Sequence, residues 1–119
     1  MDLEQARKRV ESWAKEAGEI AREHFGKTRI EKKGSNLNSH NIVTQVDRDC
    51  EHLIRKRIQE HYPLHGIHGE EFDDIDSDSE YEWTIDPIDG TLNFAYNIPI
   101  FGIQIGLLKG DEPVVGVIY

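Results

Sequence analysis

The sequence predicts an α+β fold, with two N-terminal helices packed on a largely antiparallel sheet. Three observations predict it. Apolar residues recur at helical spacing over residues 2–25 and again over 46–62. Short apolar runs at 64–69 and 83–85 read as strands, each running into acidic residues. Residues 100–119 read as an apolar hairpin folded at Lys109-Gly110-Asp111-Glu112.

The first helix is predicted from Asp2 to about Phe25. Leu3, Ala6, Val10, Trp13, Ala17, Ile20 and Ala21 form its stripe, and Gly26 is the candidate C-cap. Trp13 reads as core. Thr28 to Lys33 is a candidate strand, and the polar stretch from Gly34 to Asn41 a loop, with Ile42-Val43-Thr44 resuming an extended segment. A long-tipped hairpin is therefore expected, with Lys32 and Lys33 as a solvated charge pair. The second helix is expected from about Val46 to Tyr62. Val46, Cys50, Leu53, Ile54 and Ile58 would be its buried stripe, and Pro63 stops it. Asp47 falls in the first turn, where the helix dipole favours a carboxylate, and on residue type alone it reads as a cap.

Leu64 to Gly69 reads as a short strand that delivers Glu70 and Glu71 at its end. His65 and His68 invite a zinc reading, but residues three apart in a strand face opposite ways, which excludes it. Asp73 to Glu82 reads as a flexible acidic linker, since only Ile75 and Tyr81 offer apolar surface against the entropy of ordering. The spacing Asp74-x-Asp76-x-Asp78 suggests a calcium loop. Ser79 stands where that loop needs Gly and Ile85 where it needs Glu, so the reading fails. In the final hairpin Ile103, Ile105 and Leu107 share one face, with Gly102, Gln104, Gly106 and Leu108 on the other. Residues 114–119 are apolar on both faces, as in a strand covered on both sides, yet two helices can cover only one.

Composition bounds the function. A chain of 119 residues is one domain, and no apolar run approaches membrane-spanning length. The single cysteine, Cys50, forms no internal disulfide; there is no Asn-x-Ser/Thr sequon, and a cytoplasmic setting is expected. The formal charge is −9, and ten of the 23 acidic residues lie between Glu70 and Asp89. No Lys or Arg occurs between Arg57 and Lys109. Carboxylates crowded without basic partners repel, which suits solvent exposure or bound cations and disfavours a nucleic-acid partner.

The chemistry concentrates in Trp83-Thr84-Ile85-Asp86-Pro87-Ile88-Asp89-Gly90-Thr91. Pro87 lacks an N–H, so the strand is expected to leave the sheet at Asp86-Pro87. Asp89-Gly90 is turn chemistry. The turn would bring Asp86 and Asp89 together at one strand end, with the Ile88 carbonyl as a third oxygen suited to Mg²⁺. Residues from Thr91 onward can open a helical turn whose free N–H groups favour phosphate.

Asp86-Pro87-Ile88-Asp89-Gly90-Thr91, preceded by Gly69-Glu70-Glu71, resembles the signature of the inositol monophosphatase family, Mg²⁺-dependent and often Li⁺-sensitive phosphatases. The likeness runs from the first helix to Tyr119. It implies the first half of a layered α/β sandwich and hydrolysis of a phosphate monoester, with inositol monophosphate as the leading substrate. Fructose bisphosphate and adenosine bisphosphate are the alternatives. The resemblance assigns Glu70, Asp86, Asp89 and the Ile88 carbonyl to the metals, and the N–H groups of Gly90 and Thr91 to the phosphate. Thr91 and Asp47, the latter through the match of Thr44-x-x-Asp47, would orient the attacking water with Glu70 in the catalytic set, and Glu71 would support the ligands. It also implies that a hairpin lysine lies near the metals, for which Lys32 and Lys33 are the loose candidates. In the family a further metal-binding aspartate and most leaving-group contacts come from a C-terminal half, so residues 1–119 read as a truncated N-terminal part. A homodimer is expected. Two other classes stay open: a non-catalytic metal-binding module, and a half-molecule whose sheet serves as an assembly surface.

Overall fold

The computed structural model describes residues 1–25, 36–89 and 102–119. Its element order is α1 (Leu3–His24), α2 (Asn36–His61), β1 (Gly66–Gly69), β2 (Tyr81–Asp89), β3 (Gly102–Lys109) and β4 (Glu112–Ile118). The strands form one sheet in the order β1-β2-β3-β4. The β1–β2 pair is parallel and the other two pairs are antiparallel, so the sheet is mixed within the expected α+β class.

Helix α1 starts where Asp2 accepts a hydrogen bond from the Gln5 N–H at 3.0 Å, which satisfies one of the free donors of the first turn. Its inward face is Ala6, Val10, Trp13, Ala14, Ala17 and Ala21, mostly small residues that let α2 come close. The approach is close enough for the Cys50 thiol to donate to the Ala17 carbonyl at 3.4 Å. Burial pushes that thiol up to about 12, so it is an inert packing group. Leu3, expected in the stripe, is exposed instead. The cap is Phe25, whose N–H returns to Ala21, and Gly26 lies outside the described residues.

Helix α2 begins at Asn36, ten residues before the expected start. Ile42-Val43-Thr44 is therefore helical, and the second arm of the expected hairpin does not exist. Its first arm, Thr28 to Lys33, lies outside the described residues. The β-branched triplet and the Ser and Asn around it have weak helix propensity, which is why the segment reads as extended. No Gly or Pro interrupts the chain between Gly34 and Pro63, however, so the well-packed C-terminal turns can propagate backwards.

Both helices pack on one sheet face. Ile67, Trp83, Ile85, Ile103, Ile105 and Leu107 point into that layer and are buried. Trp83 is its centre, 5.8 Å from the Trp13 ring and 5.5 Å from Tyr62. Its indole N–H donates to His65 Nδ1 at 3.0 Å, and His65 stacks on Tyr62 and Tyr81 at 5.0 and 5.1 Å. Partial burial lowers the His65 pKa, in keeping with a neutral ring that accepts on Nδ1.

Two departures from expectation shape the sheet. Residues 73–80 are not a free linker. Ile67 and Ile75 exchange backbone hydrogen bonds of 2.9 and 2.8 Å, so the segment runs back along the outer edge of β1 and covers it. His68 Nδ1 lies 2.7 Å from Asp74, and the Ser77 hydroxyl donates to the Leu64 carbonyl. The second departure is in β2, which does not leave the sheet at Pro87 but continues to Asp89. Asp86 faces Gln104 and Asp89 faces Gly102, so three steps on β2 match two on β3. The extra residue is a bulge, a place where a proline without an N–H fits.

At the other end, β3 and β4 join through Gly110-Asp111. Gly110 has φ of 61°, the left-handed region that favours glycine in a two-residue hairpin loop. A second bulge, between Leu107 and Leu108, takes up Pro113 on β4 in the same way.

Candidate functional site

The bulge in β2 has a chemical consequence. In a regular strand residues 86 and 89 would fall on opposite faces. With one residue bulged, Asp86 and Asp89 pair in register with β3 residues two apart, Gln104 and Gly102. Ile88, two per cent exposed, points into the core, which anchors the bulge. The Asp89 side chain, Gly90 and Thr91 lie outside the described residues.

Parallel pairing supplies the next carboxylate. Gly69 ends β1 opposite Ile85, so Glu70 follows β1 beside Asp86, the next residue of β2. Glu70 and Asp86 line one open groove of about 490 Å³ together with His68, Thr84 and Gln104. Glu70 is exposed and Asp86 is half-buried.

Asp47 reaches the same charge cluster from α2. Its side chain is six per cent exposed, and its Oδ1 finds no hydrogen-bond partner among the described residues. Burial raises its carboxyl from 3.8 to about 7, and the negative charges of Glu71, Glu70, Asp86 and Glu51 push in the same direction. A buried carboxylate with one oxygen unsatisfied among the described residues and four other acids nearby is costly unless something positive offsets it. Position in a first helical turn does not explain it, because α2 begins eleven residues earlier; the capping reading of Asp47 is overturned. All the donors are hard oxygens, the set that Mg²⁺ or Ca²⁺ prefers over zinc, so these residues fit a hard divalent cation. Among the described residues no three acidic, His or Cys side chains converge enough to hold an ion by themselves.

The loop that presents Glu70 and Glu71 is held from below. Glu51, fully buried on α2, accepts from the N–H of Glu71 at 3.0 Å and of Phe72 at 3.2 Å. It also accepts from Arg55 Nε at 2.8 Å. Arg55 in turn donates to the carbonyls of Asp73 at 2.8 Å and Phe72 at 3.0 Å. Sequence reasoning missed both residues. The signal was present: Asp47, Glu51 and Arg55 recur every four residues beside the buried stripe Cys50, Ile54 and Ile58, a row that a solvated helix face would not share.

Comparison with known proteins places these features in a family. The family model described as the inositol monophosphatase family matches residues 2–119. The fructose-1,6-bisphosphatase/inositol-1-monophosphatase of Aquifex aeolicus is 42% identical over 105 residues, covering 86% of this chain and 38% of that protein. Inositol monophosphatase 1 of Solanum lycopersicum is 40% identical over 111 residues, covering 89% and 39%. The histidinol-phosphatase of Chlorobaculum parvum is 36% identical over 105 residues, covering 88% and 40%. Among solved structures, inositol monophosphatase from Anabaena (Nostoc) sp. PCC 7120 superposes with a TM-score of 0.81 at 32% identity, over 100% of this chain and 41% of that one. The chain thus spans about two-fifths of the length of the relatives it matches.

Proposed function

Because the chain belongs to the inositol monophosphatase family, we propose that it is the N-terminal part of an enzyme that hydrolyses a small phosphate monoester with Mg²⁺, inositol monophosphate being the leading substrate. The observation that carries this reading is Asp47: a buried carboxylate beside Glu70, Glu71 and Asp86, whose Oδ1 has no hydrogen-bond partner among the described residues. These carboxylates are the donor type a hard divalent cation takes, and they lie next to Asp86-Pro87-Ile88-Asp89-Gly90-Thr91.

In this reading Glu70, Asp86, Asp89 and the Ile88 carbonyl hold the metal ions. Bound there, Mg²⁺ would neutralise phosphate oxygens and make a water a better nucleophile at neutral pH. The protein residues do the rest. The Gly90 and Thr91 N–H groups hold the phosphate, and Thr91 with Asp47 orients the water in line with phosphorus. Glu71 supports the ligand carboxylates. Cys50 takes no part, since its thiol is buried and fully protonated.

A metal-binding aspartate and the leaving-group wall would come from a C-terminal half. Together with the half-built groove on the open sheet face, this favours an enzyme working as a whole over an independent module. No described helix is long and apolar enough to cross a membrane, and a cytoplasmic homodimer acting on a soluble ester suits that. The names of the relatives make fructose bisphosphate and histidinol phosphate the alternative substrates to compare. The test is phosphate release by the full-length gene product from these esters and adenosine bisphosphate, with Mg²⁺ present, removed by EDTA, or challenged with Li⁺. Turnover should require Mg²⁺ and fall with Li⁺; undiminished turnover in excess EDTA refutes the reading.

A further inference from the structure

We infer that Glu51 and Arg55 are positioning residues that lock the backbone of residues 69–73 and so set where Glu70 and Glu71 stand in the metal site. The inference rests on the reading of function given above and deepens it. Glu51 has no exposed surface, and its described hydrogen-bond partners are the loop and Arg55. Its two oxygens accept from two successive backbone N–H groups, those of Glu71 and Phe72. Arg55 closes the other side by donating to two successive carbonyls, those of Phe72 and Asp73, and its guanidinium lies 5.6 Å from the Phe72 ring centre. Both backbone polarities of one short turn are therefore satisfied by a single buried ion pair. Such charge-assisted bonds are stronger and shorter than neutral ones, and their planar geometry fixes orientation as well as distance.

Gly69 supports the assignment independently. A Cβ built there would stand 2.5–2.7 Å from the three carboxylate atoms of Glu51, distances that real side chains do not tolerate. A side chain at position 69 would therefore push the Glu51 carboxylate off its present place against the backbone. The sheet partner of Gly69, Ile85, directly precedes Asp86. The lock thus sets the spacing between Glu70, just past the end of β1, and Asp86 on the neighbouring strand β2.

The experiment uses the full-length gene product with Glu51→Gln, Arg55→Lys and Gly69→Ala. Glu51→Gln keeps the shape but turns one acceptor into a donor facing other donors. Arg55→Lys keeps the charge but loses the paired bonds to Phe72 and Asp73. Two readouts are taken on folded protein: hydrogen exchange of the Glu71 and Phe72 amides, and Mg²⁺ affinity by calorimetry. Loss of a charge-assisted bond should speed exchange at those two amides about tenfold or more, with α2 residues 46–60 unchanged. Mg²⁺ affinity should fall about 10- to 100-fold, as for other residues that orient metal ligands. At saturating Mg²⁺ the substrate KM should stay at the wild-type value.

A merely structural role would lower the melting temperature and leave the Mg²⁺ affinity of the folded fraction intact, and that result overturns the inference. Wild-type exchange at Glu71 and Phe72 in Glu51→Gln overturns it as well. If Glu51→Gln does not fold, the same two readouts on Arg55→Lys decide. Wild-type protein that binds no Mg²⁺ refutes the functional reading itself; wild-type binding matched by both variants refutes only this inference.

Discussion

An acid whose folded-state pKa lies near 7, against 3.8 in a free chain, keeps a proton through that interval that the unfolded chain has already lost. For Asp47 the sign follows directly. The folded state binds more protons between pH 3.8 and about 7, so metal-free protein loses stability as pH rises through that window and loses no more above it. Asp47→Asn removes the contribution, and the stability difference between wild type and variant should grow over the same window in urea denaturation. A difference independent of pH would contradict the placement of Asp47 among Glu71, Glu70 and Asp86. Roles divide further at Asp89 and Thr91 in the full-length gene product. Asp89→Asn should weaken Mg²⁺ binding and kcat together. Thr91→Ala should lower kcat by about 10²- to 10⁴-fold with Mg²⁺ binding nearly intact, since the proposed role of Thr91 is to orient water and it carries no charge. A change in metal affinity alone for Thr91→Ala would show the roles to be misassigned. Residue types pointed to Glu70 and Asp86 as neighbours, and the structure brings both to one groove. Glu51 and Arg55 were not legible in the same way. A charged pair on a helix defaults to solvent, and only the tertiary contact with residues 71–73 reveals a buried lock.

Elements were legible where period and punctuation agreed. The stripe of α1 apart from Leu3, the Pro63 stop and the hairpin at Gly110 follow from local chemistry and form as expected. The start of α2 was not legible, because Ile42-Val43-Thr44 prefers extended backbone and the packed turns beyond it override that preference. Pro87 misled for a related reason: a missing N–H ends a regular ladder but is accommodated in a bulge. The acidic segment misled because composition reports solvation and says nothing of two backbone bonds. Those bonds carry a prediction. Residues 73–80 should resist cleavage by a Glu-specific protease while Ile75 holds Ile67. Ile75→Pro removes the N–H that donates to the Ile67 carbonyl at 2.8 Å, and cleavage after Glu80 should then accelerate about tenfold, the expected effect of one lost hydrogen bond. Equal cleavage of variant and wild type would mean that the segment is a free linker after all.

At the scale of the molecule, one sheet face is sealed by the helices and the other is an open groove. Among the described strands β4 is an edge, and Ile118 and Tyr119 are 78% and 54% exposed there. An apolar edge strand with free backbone groups drives association. A polypeptide of residues 1–119 should therefore self-associate in sedimentation experiments, and a single monomeric species would contradict this. It should also fail to turn over substrate, because Mg²⁺ surrenders its water reluctantly and a carboxylate set this incomplete holds it weakly. The most direct test of the whole account is phosphate release from inositol monophosphate by the full-length gene product, measured with Mg²⁺ and again in excess EDTA. Turnover that appears with Mg²⁺, vanishes with EDTA and returns when Mg²⁺ is restored is the predicted result. A correctly folded, Mg²⁺-saturated protein that releases no phosphate from this or any of the related esters would contradict it.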